Sequence, residues 1–143
     1  MIKSNPFPNS HSIDKTADFF KANGSLENYC QSNELSYDFR IEQQKMARSV
    51  VDAIQLQYHL AVEAGTGVGK SFAYLVPAIL TSIERNTRTI ISTYTITLQE
   101  QLLYKDVPRI QNILGTELKT VIVKGRSNYL CLLRLQRARN NRY

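Results

Sequence analysis

Apolar side chains follow a helical spacing over the first part of the chain. From Arg40 to about Gln57 they recur every three to four residues, which predicts an amphipathic helix. Two shorter helices are predicted before it, one over Ile13 to Ala22 and one that begins at Ser25 and ends before Asn33. Residues 1–12 are rich in Ser, Asn and Pro, which favours a mobile lead-in.

After this helix the pattern changes to short apolar runs. Three of these runs predict buried strands, at His59–Glu63, Arg88–Thr93 and Thr120–Val123. Helices are predicted between and around them, at Lys70 to about Glu84 with a bend at Pro77, at Thr95–Leu103, and at Val107–Leu114 with its end at Gly115. Alternating strands and helices favour an α/β fold, in which helices flank a parallel sheet.

A glycine-rich turn joins the first predicted strand to the next helix. Its sequence, AGTGVGKS, is that of a phosphate-binding loop, made of Ala64, Gly65, Thr66, Gly67, Val68, Gly69, Lys70 and Ser71. Glycines let main-chain N–H groups approach phosphates, and the positive end of the helix adds to the attraction. We expect Lys70 to reach the β- and γ-phosphates of ATP, and Ser71 to bind the bridging Mg²⁺. The alternative is a glycine-rich turn whose lysine is merely exposed.

Positive charge is concentrated at the C-terminal end of the chain. The net charge is +6, yet residues 118–143 hold seven Lys or Arg and no Asp or Glu, whereas the first 117 residues hold 11 basic and 12 acidic ones. Such a block attracts a polyanion, or it forms the solvated face of a helix.

Nothing in the sequence indicates a membrane protein or a secreted one. No apolar stretch approaches the roughly 20 residues that span a bilayer, and the N-terminus lacks the apolar core of a secretory signal. Two cysteines, Cys30 and Cys131, are too few for a disulfide scaffold. We therefore expect no membrane partner and a cytoplasmic location.

Four segments, in order, resemble the DinG/XPD-like helicases, superfamily-two ATP-dependent DNA helicases with a RecA-like P-loop NTPase domain. The segments are YDFRIEQ at 37–43, EAGTGVGKSFAYLVPAIL at 63–80, STYTITLQEQLL at 92–103 and KGRSNYLCL at 124–132. The first segment implies that Arg40 and Gln43 bind the nucleotide base. The last implies that Cys131 is a ligand of an iron–sulfur cluster (4Fe-4S) in the intact protein. A lone cysteine in an apolar run is otherwise a core residue.

The resemblance also implies contacts with single-stranded DNA, or with DNA that has a single-stranded tail. The implied residues are Thr93, Thr95, Gln99, Lys124, Arg126 and Tyr129. The hydroxyls and the amide can donate hydrogen bonds to phosphates, although a helix cap with an exposed glutamine is an equal alternative. The lysine, arginine and tyrosine combine charge with a stackable ring, as single-strand grooves do.

These segments suggest a division of the chain and a function for it. We expect a flexible segment over 1–12, a helical lead-in over 13–39, and over 40–143 the first part of a RecA-like ATP-binding domain, cut off at the entry to the iron–sulfur region. No DEAH-type acidic box follows the third predicted strand, so we expect an N-terminal fragment that binds ATP weakly and hydrolyses it negligibly by itself. Two alternatives are a stand-alone P-loop nucleotide-binding module or small-molecule kinase, and a basic nucleic-acid-binding domain with a vestigial loop.

Overall fold

Seven α-helices and two short helical turns form the regular structure of residues 11–140, the part of the chain that the computed structural model describes. They are α1 His11–Phe20, α2 Ser25–Ser32, α3 Ile41–Leu56, α4 Lys70–Arg85, α5 Ile96–Gln101, a π-helical turn Leu102–Asp106, α6 Val107–Leu114, a 3₁₀ turn Arg126–Asn128 and α7 Leu132–Asn140. Helices α1 to α4 and α6 confirm the corresponding predictions, with ends shifted by two residues at most.

Helix α4 lies at the centre of the core, which explains why its sequence is apolar almost all round. Helix α3 packs along it, α1 contacts both, and α6 closes another side. The largest fully buried apolar side chains are Phe19, Phe20, Val51, Leu75, Val76, Pro77 and Ile110. Each such side chain stabilises the fold by about 1.5 to 3 kcal/mol relative to exposure, so this helical core holds the molecule together.

A polar network ties the start of α1 to the ends of α3 and α4. The Glu84 carboxylate accepts hydrogen bonds from the backbone N–H groups of His11, at 2.9 Å, and Ser12, at 3.3 Å. The Ser12 hydroxyl accepts from the Gln55 amide nitrogen at 2.7 Å, and Arg85 donates to the oxygen of the same amide. A carboxylate at a helix N-terminus satisfies N–H groups that have no partner inside the helix. Helix α1 therefore begins where a distant part of the chain caps it.

The predicted α/β, RecA-like fold is wrong for residues 11–140, which contain helices and no strand. The three predicted strands are segments without regular structure, named the extended segments: His59–Glu63, Arg88–Thr93 and Thr120–Val123. Most of their apolar side chains are exposed, with Ile90 at 93% and Val121 at 85% of full exposure. A strand forms only when its N–H and C=O groups pair with a neighbouring strand, and among the described residues these segments have no such pairing. The apolar runs predicted strands, but a run of this kind does not show whether a neighbouring strand is present to pair with it.

Helix α5 does not end as predicted but continues through the π-helical turn into α6. Pro108 explains the turn, because its nitrogen has no hydrogen for the Tyr104 carbonyl and its ring would clash with that carbonyl in an α-helix. A wider, i to i+5 turn relieves the clash. Leu102 and Val107, one π-helical repeat apart, are both only 7% exposed, whereas Tyr104 between them is 70% exposed.

The helices of the predicted lead-in pack on the same core as the rest. Phe19 and Phe20 of α1 and Leu26 of α2 belong to one cluster with Leu75 and Ile110. The division of the chain at residues 39 and 40 stays a prediction. The predicted mobile segment lies outside the described residues, apart from the two that begin α1. None of the described helices is both long enough and apolar enough to cross a bilayer.

Candidate nucleotide and nucleic-acid sites

The glycine-rich turn leads directly into α4. Gly67 and Gly69 have φ angles of +81° and +83°, in the left-handed region that favours glycine. Gly69 is the N-cap residue of α4, and Lys70 and Ser71 are the first helical residues. A Cβ built on Gly65 would meet no atom within 4 Å. The turn therefore presents main-chain N–H groups at a helix N-terminus with open space before it, an arrangement that attracts anions.

The Lys70 ammonium is bonded to the start of its own loop. Its Nζ donates to the carbonyl oxygens of Ala64, at 3.0 Å, and Gly65, at 2.6 Å. The side chain thus reaches back across the loop although it is exposed to solvent. A bound phosphate would offer this ammonium a charged acceptor, and hydrogen bonds between charged partners are the stronger ones.

Arg40 and Gln43, at the start of α3, lie beside the phosphate loop. The Gln43 amide nitrogen donates to the Gly69 carbonyl at 2.9 Å, and the side chain is only 6% exposed. A Cβ on Gly69 would collide with that amide. The Arg40 guanidinium contacts Asp38 at 3.4 Å and approaches Gly67, with Nη1 4.0 Å from the position of a Cβ there. Both residues implied by the resemblance are therefore near the loop, and Gln43 holds its last glycine.

Two further residues near Ser71 were missed by sequence reasoning. Tyr74 lies one helical turn after Ser71, and burial raises the pKa of its hydroxyl. A hydrogen bond with Ser71 lowers that pKa and the charge of Asp106 raises it, so both groups lie near the tyrosine. Asp106 also accepts a hydrogen bond from the Gln101 amide at 3.3 Å. The i, i+3 spacing of Ser71 and Tyr74 was an available signal for the tyrosine, whereas the aspartate lies just after the third resembling segment and no spacing placed it near Tyr74.

Thr93, Thr95 and Gln99 lie at the start of α5, where their polar groups have partners within the protein. Thr95 caps the helix, since its hydroxyl oxygen accepts from the Leu98 N–H at 3.2 Å. The Thr93 hydroxyl donates to the Thr95 carbonyl at 3.1 Å. The Gln99 amide donates to the Val123 carbonyl at 3.4 Å. The threonine cap of the alternative interpretation is therefore present, and Gln99 links α5 to the third extended segment.

The other group of implied nucleic-acid residues surrounds Lys124 and meets α5. The Lys124 ammonium pairs with Glu100 at 2.9 Å, and the Lys124 backbone N–H donates to the Tyr129 hydroxyl at 2.8 Å. The Glu100 hydrogen bond is the main cause that raises the pKa of the Lys124 amine, and the charges of Glu100, Tyr104 and Tyr129 add to it. Arg126 opens the exposed 3₁₀ turn. The structure thus places the two groups of candidates side by side.

The described residues do not fit an iron–sulfur cluster. Cys131 is exposed, whereas Cys30 is buried, and burial raises the pKa of the Cys30 thiol while the charge of Arg109 lowers it. No group of three His, Cys, Asp or Glu side chains within residues 11–140 could hold a metal ion. Such a cluster needs several thiolate ligands, and one exposed cysteine does not supply them.

Comparison with known proteins finds helicase relatives. The chain is 44% identical over 119 residues to the ATP-dependent DNA helicase YoaA of Haemophilus influenzae, covering 83% of this chain and 17% of that protein. It is 47% identical over 94 residues to the ATP-dependent helicase DinG of Mycobacterium tuberculosis, covering 63% and 14%. It is 40% identical over 100 residues to the 3′-5′ exonuclease DinG of Bacillus subtilis, covering 70% and 11%. The chain thus spans less than a fifth of these relatives. No family model and no solved structure matches it.

Proposed function

The chain is related to the DinG-like helicases, and from that relationship we propose that it forms part of an ATP-dependent DNA helicase, in which it binds ATP with Mg²⁺ and contacts single-stranded DNA. The observation that carries the proposal is the phosphate loop, in which two left-handed glycines precede Lys70 at the N-terminus of α4. That geometry suits the phosphates of a nucleotide, and the relatives' names supply the nucleotide and the DNA.

At the nucleotide site, the loop from Ala64 to Ser71 would hold the phosphates through its main-chain N–H groups. Lys70 would exchange its two loop carbonyls for the β- and γ-phosphates. Ser71 would bind the Mg²⁺ through its hydroxyl, which Tyr74 beside it would orient. Bound ATP-Mg would supply phosphates whose negative charge is partly neutralised by the ion.

Arg40 and Gln43 would face the base side of the same site. The Gln43 amide nitrogen uses one of its two hydrogens on Gly69, so its Oε1 and its second N–H are the groups with which this residue would contact the base. Arg40 is about half-exposed and contacts the exposed Asp38, so its guanidinium is accessible to a nucleotide. Gln43 and Arg40, both at the start of α3, would therefore contact the same nucleotide.

The DNA side of the proposal rests on the juxtaposition of the two candidate groups. Its residues are Thr93, Thr95, Gln99, Lys124, Arg126 and Tyr129. Hydroxyl, amide and cationic groups are those that contact phosphates without reading sequence. Thr95 can serve both roles, because a hydroxyl that accepts from the Leu98 N–H still has its own hydrogen to donate.

Hydrolysis and unwinding belong to the whole protein. Hydrolysis needs a carboxylate that organises Mg²⁺ and water, and arginines that stabilise the transition state, so we expect residues 1–143 alone to bind ATP weakly and to hydrolyse it negligibly. Cys131, which is exposed, stays a candidate ligand of an iron–sulfur cluster in the intact protein, since one cysteine does not hold a cluster by itself. We propose a cytoplasmic location, which suits a relative of DNA helicases.

Titration of the 143-residue chain with a fluorescent ATP analogue, with and without Mg²⁺, tests the nucleotide site. We expect Mg²⁺-dependent binding that Lys70→Ala weakens about tenfold, because a charge-assisted contact is lost. Lys15→Ala, an exposed lysine of α1, is the matched control and should bind like the parent. Binding that ignores Mg²⁺, or equal affinity of the parent and Lys70→Ala, would overturn the assignment. Phosphoryl transfer to a small acceptor by this chain would favour the kinase alternative instead.

A further inference from the structure

Tyr104 is an aromatic residue that the fold holds outside its core. The π-helical turn keeps Leu102 and Val107 buried on one side and leaves the Tyr104 ring 70% exposed on the other. The turn follows from Pro108, and two core residues flank it, so the direction of this tyrosine is set by the covalent chain and the core. Departures of this kind from α-helical geometry are frequent at functional sites.

The surroundings of Tyr104 contain a second ring and a cation. Glu100, one turn before Tyr104, pairs with the Lys124 ammonium at 2.9 Å, which brings Lys124 to the face of the helix that carries Tyr104. The Tyr129 hydroxyl accepts from the Lys124 N–H at 2.8 Å, and Tyr129 is 53% exposed. Two accessible tyrosines thus flank one lysine. Neither α5 nor the 3₁₀ turn buries any residue, so both sides of this cluster are open.

The segment that carries Lys124 and Tyr129 is basic. Residues 118–140 contain Lys119, Lys124, Arg126, Arg134, Arg137 and Arg139 and no acidic residue. Every side chain of α7, which carries the last three arginines, is exposed. The acid that contacts the cluster, Glu100, pairs with its lysine. A surface that combines a positive field with exposed rings fits a polyanion with aromatic groups.

We propose that Tyr104 and Tyr129 form a stacking surface for unpaired bases of a single DNA strand whose phosphates are bound by Lys124 and Arg126. This inference rests on the proposed function and adds Tyr104 and the bases to it. Bases of a duplex are stacked on each other and hide their faces, so two exposed rings suit a single strand. Because every base has such a face, this surface accepts any sequence.

Glu100 sets a condition on binding, because a phosphate must replace its carboxylate at Lys124. Glu100→Gln removes the competing charge and leaves the side chain's shape. It should therefore bind single strands several-fold more tightly than the parent, because the phosphate no longer has to displace a carboxylate from Lys124. Glu117→Gln, an exposed acid outside the cluster, is the control.

Fluorescence anisotropy of a labelled short oligothymidylate, with the 143-residue chain, tests the stacking surface. Tyr104→Ala should weaken binding about tenfold, in line with the loss of one stacked base, while Tyr104→Phe keeps the ring and should bind like the parent. With an abasic strand of the same length, Tyr104→Ala and the parent should bind equally. Tyr58→Ala, an exposed tyrosine after α3, is the matched control and should behave as the parent on both strands.

Three results overturn the inference, and they separate it from the proposed function. If Tyr104→Ala binds oligothymidylate like the parent while Arg126→Ala binds more weakly, the DNA surface stands and the stacking role is wrong. If Tyr104→Ala loses as much affinity for the abasic strand as for oligothymidylate, the ring supports the loop and does not stack. If the parent binds no single strand, the inference and the proposed DNA contacts both fail.

Discussion

The phosphate loop and the three extended segments all lack regular structure, yet they are held differently. The loop is bonded from both sides, by Gln43 to its last glycine and by Lys70 to its first residues, and it continues into the buried helix α4. The extended segments carry apolar side chains that are largely exposed, such as Ile90 at 93% and Val121 at 85%.

The two regions differ in which contacts fix their conformation. The conformation of the loop is fixed by glycines in the left-handed region, by the hydrogen bond from Gln43 of α3 and by its continuation into α4. The extended segments have β-branched residues but no backbone partner in the described chain, so their side chains pack on little. Substitutions in the two regions should therefore change stability or ligand affinity by different amounts.

Removal of a core side chain beneath the loop should have the largest effect. Leu75→Ala in α4 should lower the free energy of unfolding by about 2 to 5 kcal/mol, because it removes a side chain that is only 1% exposed and leaves a cavity. Ile90→Ala in an extended segment is the control and should change it by no more than about 0.5 kcal/mol. Urea unfolding followed by circular dichroism measures both. Equal losses would mean that the segment is packed.

Gly69→Ala should have the next largest effect on stability. Its φ of +83° disfavours any side chain, and a Cβ would strike the Gln43 amide, so we expect a loss of about 1 to 2 kcal/mol in unfolding free energy. Gly65→Ala, where a Cβ meets open space, should cost much less in the absence of nucleotide. Urea unfolding of the two variants makes the comparison. A Gly65→Ala variant as unstable as Gly69→Ala would contradict the described loop.

Gln43→Ala separates support of the loop from recognition of the base. The lost hydrogen bond to Gly69 is worth about 1 kcal/mol, so affinity for ATP should fall about fivefold. If the amide acts by holding the loop, competition with inorganic tripolyphosphate, which has no base, should weaken by the same factor. A loss confined to ATP would assign the residue to the base alone. Gln44→Ala, the neighbouring glutamine, is the control.

Thr95→Ala should have the smallest effect. The cap satisfies the Leu98 N–H, but α5 is short and buries no residue, so we expect a loss of about 0.5 kcal/mol, at the low end for such caps. Thr95→Ser keeps the oxygen and should restore the stability. Urea unfolding gives the size of the loss. A loss as large as that of Leu75→Ala would show that α5 is part of the core.

Local sequence patterns predicted the helices and the phosphate loop. They could not predict contacts between residues that are far apart in the sequence. The helical spacing around Val51 and the glycines at 67 and 69 are visible in a short stretch of sequence, and the structure has both features. The α/β fold failed because an apolar run such as Arg88–Thr93 does not contain the strand that it would need beside it.

The candidate sites show the same limit. Arg40 and Gln43 were implied by resemblance, and their position on the loop, across 26 residues for the Gln43 bond, became visible only in three dimensions. The π-helical turn had a local signal, Pro108, which marks a helical position with no N–H to donate. Neighbours such as Asp106 and Glu100 had none, because their roles depend on residues far along the chain.

The cap that Glu84 provides for α1 has a consequence for the order in which the protein folds during synthesis. The ribosome makes His11 and Ser12 more than 70 residues before the carboxylate that accepts their N–H hydrogen bonds. At ordinary rates of translation that delay is roughly 4 to 15 s. Helix α1 therefore cannot receive this cap until the end of α4 has been made, although α3, its other large packing partner, is synthesised earlier.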